Sequence, residues 1–375
     1  MLSPNFFVET LQTYSVDFFA GVPDSLLKNM CAYITDHIEP TNNIIAANEG
    51  AALGLAAGYH LATGRIPVVY MQNSGIGNAV NPLLSLTDKA VYNIPVLLLI
   101  GWRGEPGIKD EPQHIKQGMV TIPLLDTLGI KSQILDTEPD LARKQIHDAI
   151  EYMRMTKEPF ALVIHKESFE EYKLQNIEEC RFALSREESI KIVCASLDKG
   201  SIIVSTTGMI SRELFEYRES VNESHETDFL TVGSMGHASQ IALGIALQKK
   251  DKKVYCFDGD GAVLMHMGAL TTIGTSRATN YIHVVFNNGA HDSVGGQPTV
   301  GLKIDLPKVA SACGYNMALS VDNIMSLEQE LDKLKYIHGP ALLEIKVKKG
   351  ARKNLGRPTL TPVENKEMLM DLFKK

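Results

Sequence analysis

The chain has 375 residues, 44% of them apolar and 22% charged, and carries a net charge of -7. That length suits two domains of ordinary size, and the acidic balance argues against nucleic acid or an anionic membrane surface as partner. No apolar run exceeds the five residues of Val96 to Ile100, too short to span a bilayer, and the start MLSPNFFVETLQ lacks the basic and apolar regions of a secretory signal. Cys31, Cys180, Cys194, Cys256 and Cys313 are odd in number and form no CxxC pair, so they read as reduced thiols of a cytoplasmic protein.

In chain order, Val16 to Ala20 reads as a short strand ending at Gly21-Val22-Pro23, and Ser25 to Ile34 as a helix. Ile44 to Ala46 is a strand, followed by an Ala/Gly-rich helix from Glu49 to Ala62. Pro67 to Met71 and Pro95 to Ile100 are buried strands, and a charged loop spans Gly104 to Gly118. Asp140 to Met153 is helical and Phe160 to His165 a strand. The polar stretch Lys166 to Arg186 reads as a linker. The rhythm then restarts: a helix from Arg186 to Leu197, a strand from Ser201 to Ser205, and a helix from Ala238 to Gln248. A strand enters Gly-Asp-Gly at 259–261, a helix-like stretch follows, and HVVFNN ends at Asn288. A late strand covers Ala341 to Val347. Strands alternating with helices predict an α/β protein of two mostly parallel sheets with helices on both faces.

Ligands of parallel sheets bind at the carboxyl ends of the strands. There the second half places Asp260 and Asn288, a carboxylate and a carboxamide, with 25 residues between Gly261 and Asn287. Oxygen donors of this kind suit Mg²⁺, with the backbone carbonyl of Ala290 as a third protein ligand. Gly259 permits close backbone approach, and Gly261 and Ala262 open the next helix with N–H groups able to face a diphosphate. Taken alone, Gly-Asp-Gly is a tight turn; apolar strands before both elements, at this spacing, favour the cation reading. Thr206, Thr207 and Ser211 lie after a strand, either as diphosphate contacts or as plain loop residues. In the first half, Asp24 is either a helix N-cap or a group facing substrate, with Ser25 beside it. His114 is a candidate proton donor, and Lys109 and Arg103 are candidates to meet an anion. His291, Asp292, Ser293 and Gln297 follow the asparagines. Ser74-Gly75-Ile76-Gly77-Asn78 looks superficially like a nucleotide-binding turn, but it has neither the third glycine nor the distal acid.

The segments NEGAALGLAAGYHLATG, VGSMGHAS, FDGDG and FNNGAHDSVGGQPT resemble those of thiamine diphosphate enzymes. With GVPDSLL and WRGEPGIKDEPQH, they are most similar to the phosphonopyruvate and sulfopyruvate decarboxylase branch. The resemblance covers nearly the whole chain. It implies a pyrimidine-binding domain at 1–170, a linker at 171–188 and a diphosphate- and Mg²⁺-binding domain at 189–375. It implies thiamine diphosphate and Mg²⁺ as cofactors and decarboxylation of 3-phosphonopyruvate to phosphonoacetaldehyde and CO₂, a step toward 2-aminoethylphosphonate. Glu49 would then be the carboxylic acid on the pyrimidine N1′, kept protonated by apolar surroundings. Met235 would support the bent coenzyme, and the carbonyl of Gly233, next to Ser234, would accept from the aminopyrimidine. Thr207 would contact the diphosphate. His114 or Asp24 would protonate the intermediate; Ser25, Lys109 and His291 would face substrate. The family builds its sites between two chains, which implies a homodimer or a higher even assembly. Sulfopyruvate decarboxylation and acetolactate synthase-like carboligation are the alternative activities; a non-catalytic nucleotide-binding protein is the alternative class.

Overall fold

A computed structural model of the chain describes residues 1–176 and 181–374. It forms two compact units, Met1–Glu178 with Val294–Gln297, and Glu179–Ser293 with Pro298–Lys375.

The first unit contains strands β1 (Phe19–Gly21), β2 (Asn43–Ile45), β3 (Val68–Gln72), β4 (Leu97–Gly101), β5 (Lys131–Ile134) and β6 (Phe160–Ile164). Its helices are α1 (Pro4–Thr13), α2 (Lys28–His37), α3 (Glu49–Thr63), α4 (Ile76–Pro82), α5 (Pro112–Thr127) and α6 (Pro139–Thr156). The strands pair in parallel in the order β2-β1-β3-β4-β6-β5. Val68 and Tyr70 pack into one apolar cluster; Val69 and Met71, which alternate with them, pack into another. A central parallel strand is covered on both faces, which is why these strands read as continuous apolar runs.

The second unit repeats the plan with β7 (Ile202–Ser205), β8 (Asp228–Leu230), β9 (Val254–Gly259), β10 (Tyr281–Asn287), β11 (Met317–Val321) and β12 (Ala341–Lys346). Its helices are α7 (Arg186–Ser196), α8 (Met209–Ser220), α9 (Ala238–Gln248), α10 (Asp260–Met265), α11 (Ala269–Thr275), α12 (Leu306–Ala312), α13 (Ile324–Leu334) and α14 (Pro362–Leu372). All its pairs are parallel, in the order β11-β12-β10-β9-β7-β8. Phe257, Val284 and Leu343 fill one face of the sheet; Cys256, Val285 and Leu342 fill the other. The α/β class with two parallel sheets is the architecture expected from the alternating pattern.

Several local expectations change. The stretch after Gly-Asp-Gly is two short helices, α10 and α11, interrupted between them at His266–Gly268. The charged loop ends earlier than Gly118, because Pro112 opens α5, where its missing N–H costs nothing. His114 therefore stands on a helix. Asp24 is not a helix N-cap: α2 starts at Lys28, and Asp24 instead accepts from Leu26 N–H at 2.9 Å. Helix α1 was missed because its Phe/Val/Leu positions precede any strand signal; Pro4 at its start is the cue that was available. Cys31, Cys194, Cys256 and Cys313 are free thiols; Cys180 lies outside the described residues.

Candidate active site

In the second unit, four adjacent strands deliver four loops to one sheet edge. Thr207 follows β7, Gly233 follows β8, Asp260 follows β9 and Asn288 follows β10. Chain order reverses between β7 and β9, the switch point at which open parallel sheets bind ligands. Thr207 Oγ1 accepts the Gly233 N–H at 3.0 Å, so the first two loops are tied together. Ser234 adopts a left-handed backbone with φ 45°, a conformation that shapes the turn into α9.

Asp260 is the first residue of α10, 2% exposed, and its carboxyl accepts from the Thr299 hydroxyl and from the Asn288 backbone N–H. Burial pushes its pKa up to about 6, against the pull of those donors. Among the described residues, no Lys, Arg or His pairs with it. A buried carboxyl with backbone and hydroxyl donors but no cationic partner fits a divalent cation as its missing partner. Asn288 is buried beside it; its Oδ1 accepts the Ala290 N–H at 3.0 Å and its Nδ2 donates to Asp292 at 2.6 Å. Asn287 serves a different purpose, donating to Gly301 O and Glu344 Oε1 inside the core. Thr299 and Gly301 escaped sequence reading. A Cβ at Gly301 would lie 2.6 Å from Asp260 Oδ2, so only glycine leaves room for that carboxyl.

Around this group, the His291 ring and Met235 Cε come within 3.4 Å of the point where a Gly261 Cβ would stand. Burial pushes the His291 pKa down to about 4, so it is neutral at pH 7. Ser211 is structural, bonded to Ser205 and to the Thr206 carbonyl. Cys256, Asp258 and His283 form a separate buried cluster of potential ligand atoms. Two of its members bond to each other and onward, with His283 Nε2 3.4 Å from Asp258 and Nδ1 3.3 Å from the Tyr315 hydroxyl, while Cys256 pairs with Tyr281.

In the first unit, Glu49 is the first residue of α3, with Asn48 as N-cap accepting from Ala51 N–H. Its side chain is 4% exposed and accepts from Asn78 Nδ2 at 2.7 Å. Burial raises its pKa, and the Asn78 bond opposes that rise. Gly75 lies directly on the carboxyl: a Cβ there would sit 2.5 Å from Glu49 Cδ. The Ser74–Asn78 segment, weighed above as a nucleotide turn, thus supplies the floor and the donor for Glu49.

Asp24 is fully buried, accepting from Gln72 Nε2 at 2.6 Å and from Leu26 N–H. Arg103 is held by Asp110 through two nitrogens and donates to Ser25 Oγ at 2.8 Å. His114 is buried, 3.2 Å from Gln117 Oε1, and burial together with the Arg103 charge lowers its pKa. Asp24, Ser25, Arg103, Asp110 and His114 are therefore one cluster; Lys109 is exposed on the loop outside it.

Residues 4–124 match the N-terminal TPP-binding domain of thiamine pyrophosphate enzymes, and residues 206–345 match their C-terminal TPP-binding domain. The chain belongs to the thiamine pyrophosphate enzyme family. Within it, a phosphonopyruvate decarboxylase of Streptomyces viridochromogenes is 33% identical over 95% of this chain and 91% of its own. One from Streptomyces hygroscopicus is 33% identical over 97% and 92%. A sulfopyruvate decarboxylase of Methanosarcina acetivorans is 29% identical over 92% and 90%. No helix among the described residues is long and apolar enough to cross a membrane.

Proposed function

We propose that the chain is a thiamine diphosphate- and Mg²⁺-dependent decarboxylase of 3-phosphonopyruvate, releasing phosphonoacetaldehyde and CO₂ in phosphonate biosynthesis. The observation that carries this reading is the Glu49 carboxyl, buried at a helix start in neutral surroundings, in a chain whose full-length relatives include phosphonopyruvate decarboxylases. Thiamine diphosphate, when bound, supplies an electron sink for the bonding pair that stays on the substrate carbon as CO₂ departs.

The residues divide the remaining work. Glu49, whose pKa burial raises, would in its protonated form donate a hydrogen bond to the pyrimidine ring nitrogen. Asn78 orients it, and Gly75 lets it approach. Asp260, Asn288 and the Ala290 carbonyl hold Mg²⁺, offsetting the desolvation that Asp260 bears without it. Gly259, Gly261, Ala262 and Thr207 accommodate the diphosphate. Gly233, Ser234 and Met235 support the ring system. His114 and Asp24 would move a proton to product, with Ser25, Lys109 and His291 toward the anionic substrate and Arg103 bonded to Ser25 beside them. A homodimer or a higher even assembly, with Glu49 and Asp260 of different subunits serving one cofactor, completes the reading. Support for it comes from α3, where Ala51, Gly54, Leu55, Gly58 and Leu61 are exposed and space beside Gly54 and Gly58 is open. A cytoplasmic setting suits the free buried thiols.

The test is release of CO₂ and aldehyde from phosphonopyruvate and from sulfopyruvate, with and without thiamine diphosphate and Mg²⁺. Cofactor-dependent turnover with a higher kcat/KM for phosphonopyruvate is expected. Preference for sulfopyruvate would move the chain to that activity, which the Methanosarcina relative favours. A coupled product with added pyruvate would mark a carboligase.

A further inference from the structure

Asn288 differs from a carboxylate ligand in one respect. Its carboxamide has a donor end and an acceptor end of nearly the same shape, and only the oxygen end serves a hard cation. Two contacts distinguish the ends. Nδ2 donates to Asp292 Oδ2 at 2.6 Å, and Oδ1 accepts the Ala290 N–H at 3.0 Å, leaving one oxygen lone pair free. A flipped amide would press Oδ1 against the Asp292 carboxylate and turn its own N–H toward that of Ala290. Both ends oppose the flip.

Asp292 is itself anchored. Its Oδ2 also accepts from Arg186 Nη1 at 3.0 Å and from the Gly350 N–H at 2.9 Å. Arg186, the first residue of α7, is gripped by Glu213 of α8 through Nε at 2.8 Å and Nη2 at 2.9 Å. Both of those side chains are buried. A chain of fixed charges therefore runs from α8 through the start of α7 to the end of β10, all within the second unit.

We propose that Asp292, anchored by Arg186 and the Gly350 N–H, is a positioning residue that holds the Asn288 carboxamide with its oxygen toward the cation. This rests on the reading that Asp260 and Asn288 hold Mg²⁺. Partners of metal ligands that act in this way typically change metal affinity by about 10–100-fold when removed.

Equilibrium dialysis of thiamine diphosphate against metal-stripped protein, at stepped Mg²⁺ concentrations, gives the Mg²⁺ midpoint for cofactor retention without any turnover. Asp292→Asn should raise that midpoint by roughly 10–100-fold. The Asn288→Asp background sharpens the test, because a carboxylate has two equivalent oxygens and needs no orientation. There Asp292 only repels, so Asp292→Asn should lower the midpoint; a role confined to folding would not reverse sign between backgrounds. If Asp292→Asn does not fold, Arg186→Met is read instead, with a smaller rise expected. An unchanged midpoint, or a shift of the same sign in both backgrounds, overturns the proposal. Loss of Mg²⁺-dependent retention in Asp260→Ala with an unchanged midpoint in Asp292→Asn rejects the orienting role alone. A wild type that shows no Mg²⁺ dependence rejects the Mg²⁺ reading and this role with it.

Discussion

Glu49 in the first unit and Asp260 in the second are built to the same plan. Each is the first residue of a helix that follows a parallel strand, β2 or β9. Each is almost fully buried, and burial raises the pKa of each. Each accepts from one neutral side chain, Asn78 or Thr299, and each is pressed by a glycine that admits no Cβ, Gly75 or Gly301. The difference lies in the backbone around them. Asp260 accepts the N–H of Asn288 from the next strand end, beside a carboxamide that offers a further oxygen. Glu49 accepts from the Asn78 carboxamide through its nitrogen end. The same desolvation thus raises the pKa of both carboxyls, and on the proposed reading favours the proton at Glu49 and a cation at Asp260. A raised carboxyl pKa alone does not assign a role; the neighbouring donors and acceptors do.

The largest expected effect breaks the comparison at the proton. Glu49→Gln removes the acid while keeping the shape, and steady-state turnover should fall by at least ~10²-fold. The Mg²⁺ midpoint for cofactor retention should stay near wild type, because the proposed metal ligands Asp260 and Asn288 are untouched. Near-normal turnover in this variant would show that the buried acid takes no part in the reaction.

A second pair of variants separates the two centres through their glycines. Gly75→Ala forces the Glu49 carboxyl to move, and misplacing a reacting group by about 1 Å can cost on the order of 10²-fold in rate. Its signature is a fall in kcat of roughly tenfold or more with an unchanged Mg²⁺ midpoint. Gly301→Ala pushes on Asp260 and should do the reverse, shifting the midpoint more than kcat measured at saturating Mg²⁺. If both variants moved both readouts equally, the two carboxyls would not be serving different partners.

Much of this plan was legible in the sequence, and the reasons are local. Parallel strands buried on both faces leave apolar runs such as Val96 to Ile100, and a carboxyl just after such a run is placed by the strand itself. Asp260 could be found for that reason; Glu49, four residues after the half-buried strand β2, stood out only through the resemblance carried by NEGAALGLAAGYHLATG. Asn288 was distinguishable from Asn287 only by position; the structure adds that Asn287 turns into the core toward Gly301 and Glu344. Thr299, Gly301 and Gly75 were not legible as partners. They reach their carboxyls through tertiary folding across 39, 41 and 26 residues, and no periodicity encodes such a contact. Arg186 was hidden for a similar reason: at the end of a polar stretch it looks solvated, yet it is buried against Glu213. The break between α10 and α11 went unread because the apolar spacing runs through Gly268 without interruption.

The smallest expected effect is a stability difference with pH, and it bears on Asp260 alone. Its pKa is about 6 in the fold against 3.8 for the ordinary group. A raised carboxyl pKa means that the folded state holds its proton more tightly than the unfolded chain. Below about pH 4 both states are protonated and the site costs nothing. Between pH 4 and pH 6 the unfolded chain ionises first, so stability falls as pH rises, by roughly 3 kcal/mol in total at 1.36 kcal/mol per pKa unit. Above pH 6 the full cost persists in the metal-free protein. Asp260→Asn has no proton to lose there. The melting temperatures of metal-free wild type and Asp260→Asn should therefore diverge by several degrees between pH 4 and pH 6, with the variant the more stable. Thiamine diphosphate and Mg²⁺ together should flatten the wild-type profile, since a bound cation supplies the partner that the buried carboxylate otherwise lacks. Parallel melting profiles for the two metal-free proteins would mean that Asp260 reaches water more freely than its burial indicates, and the contrast with Glu49 would then rest on the cation alone.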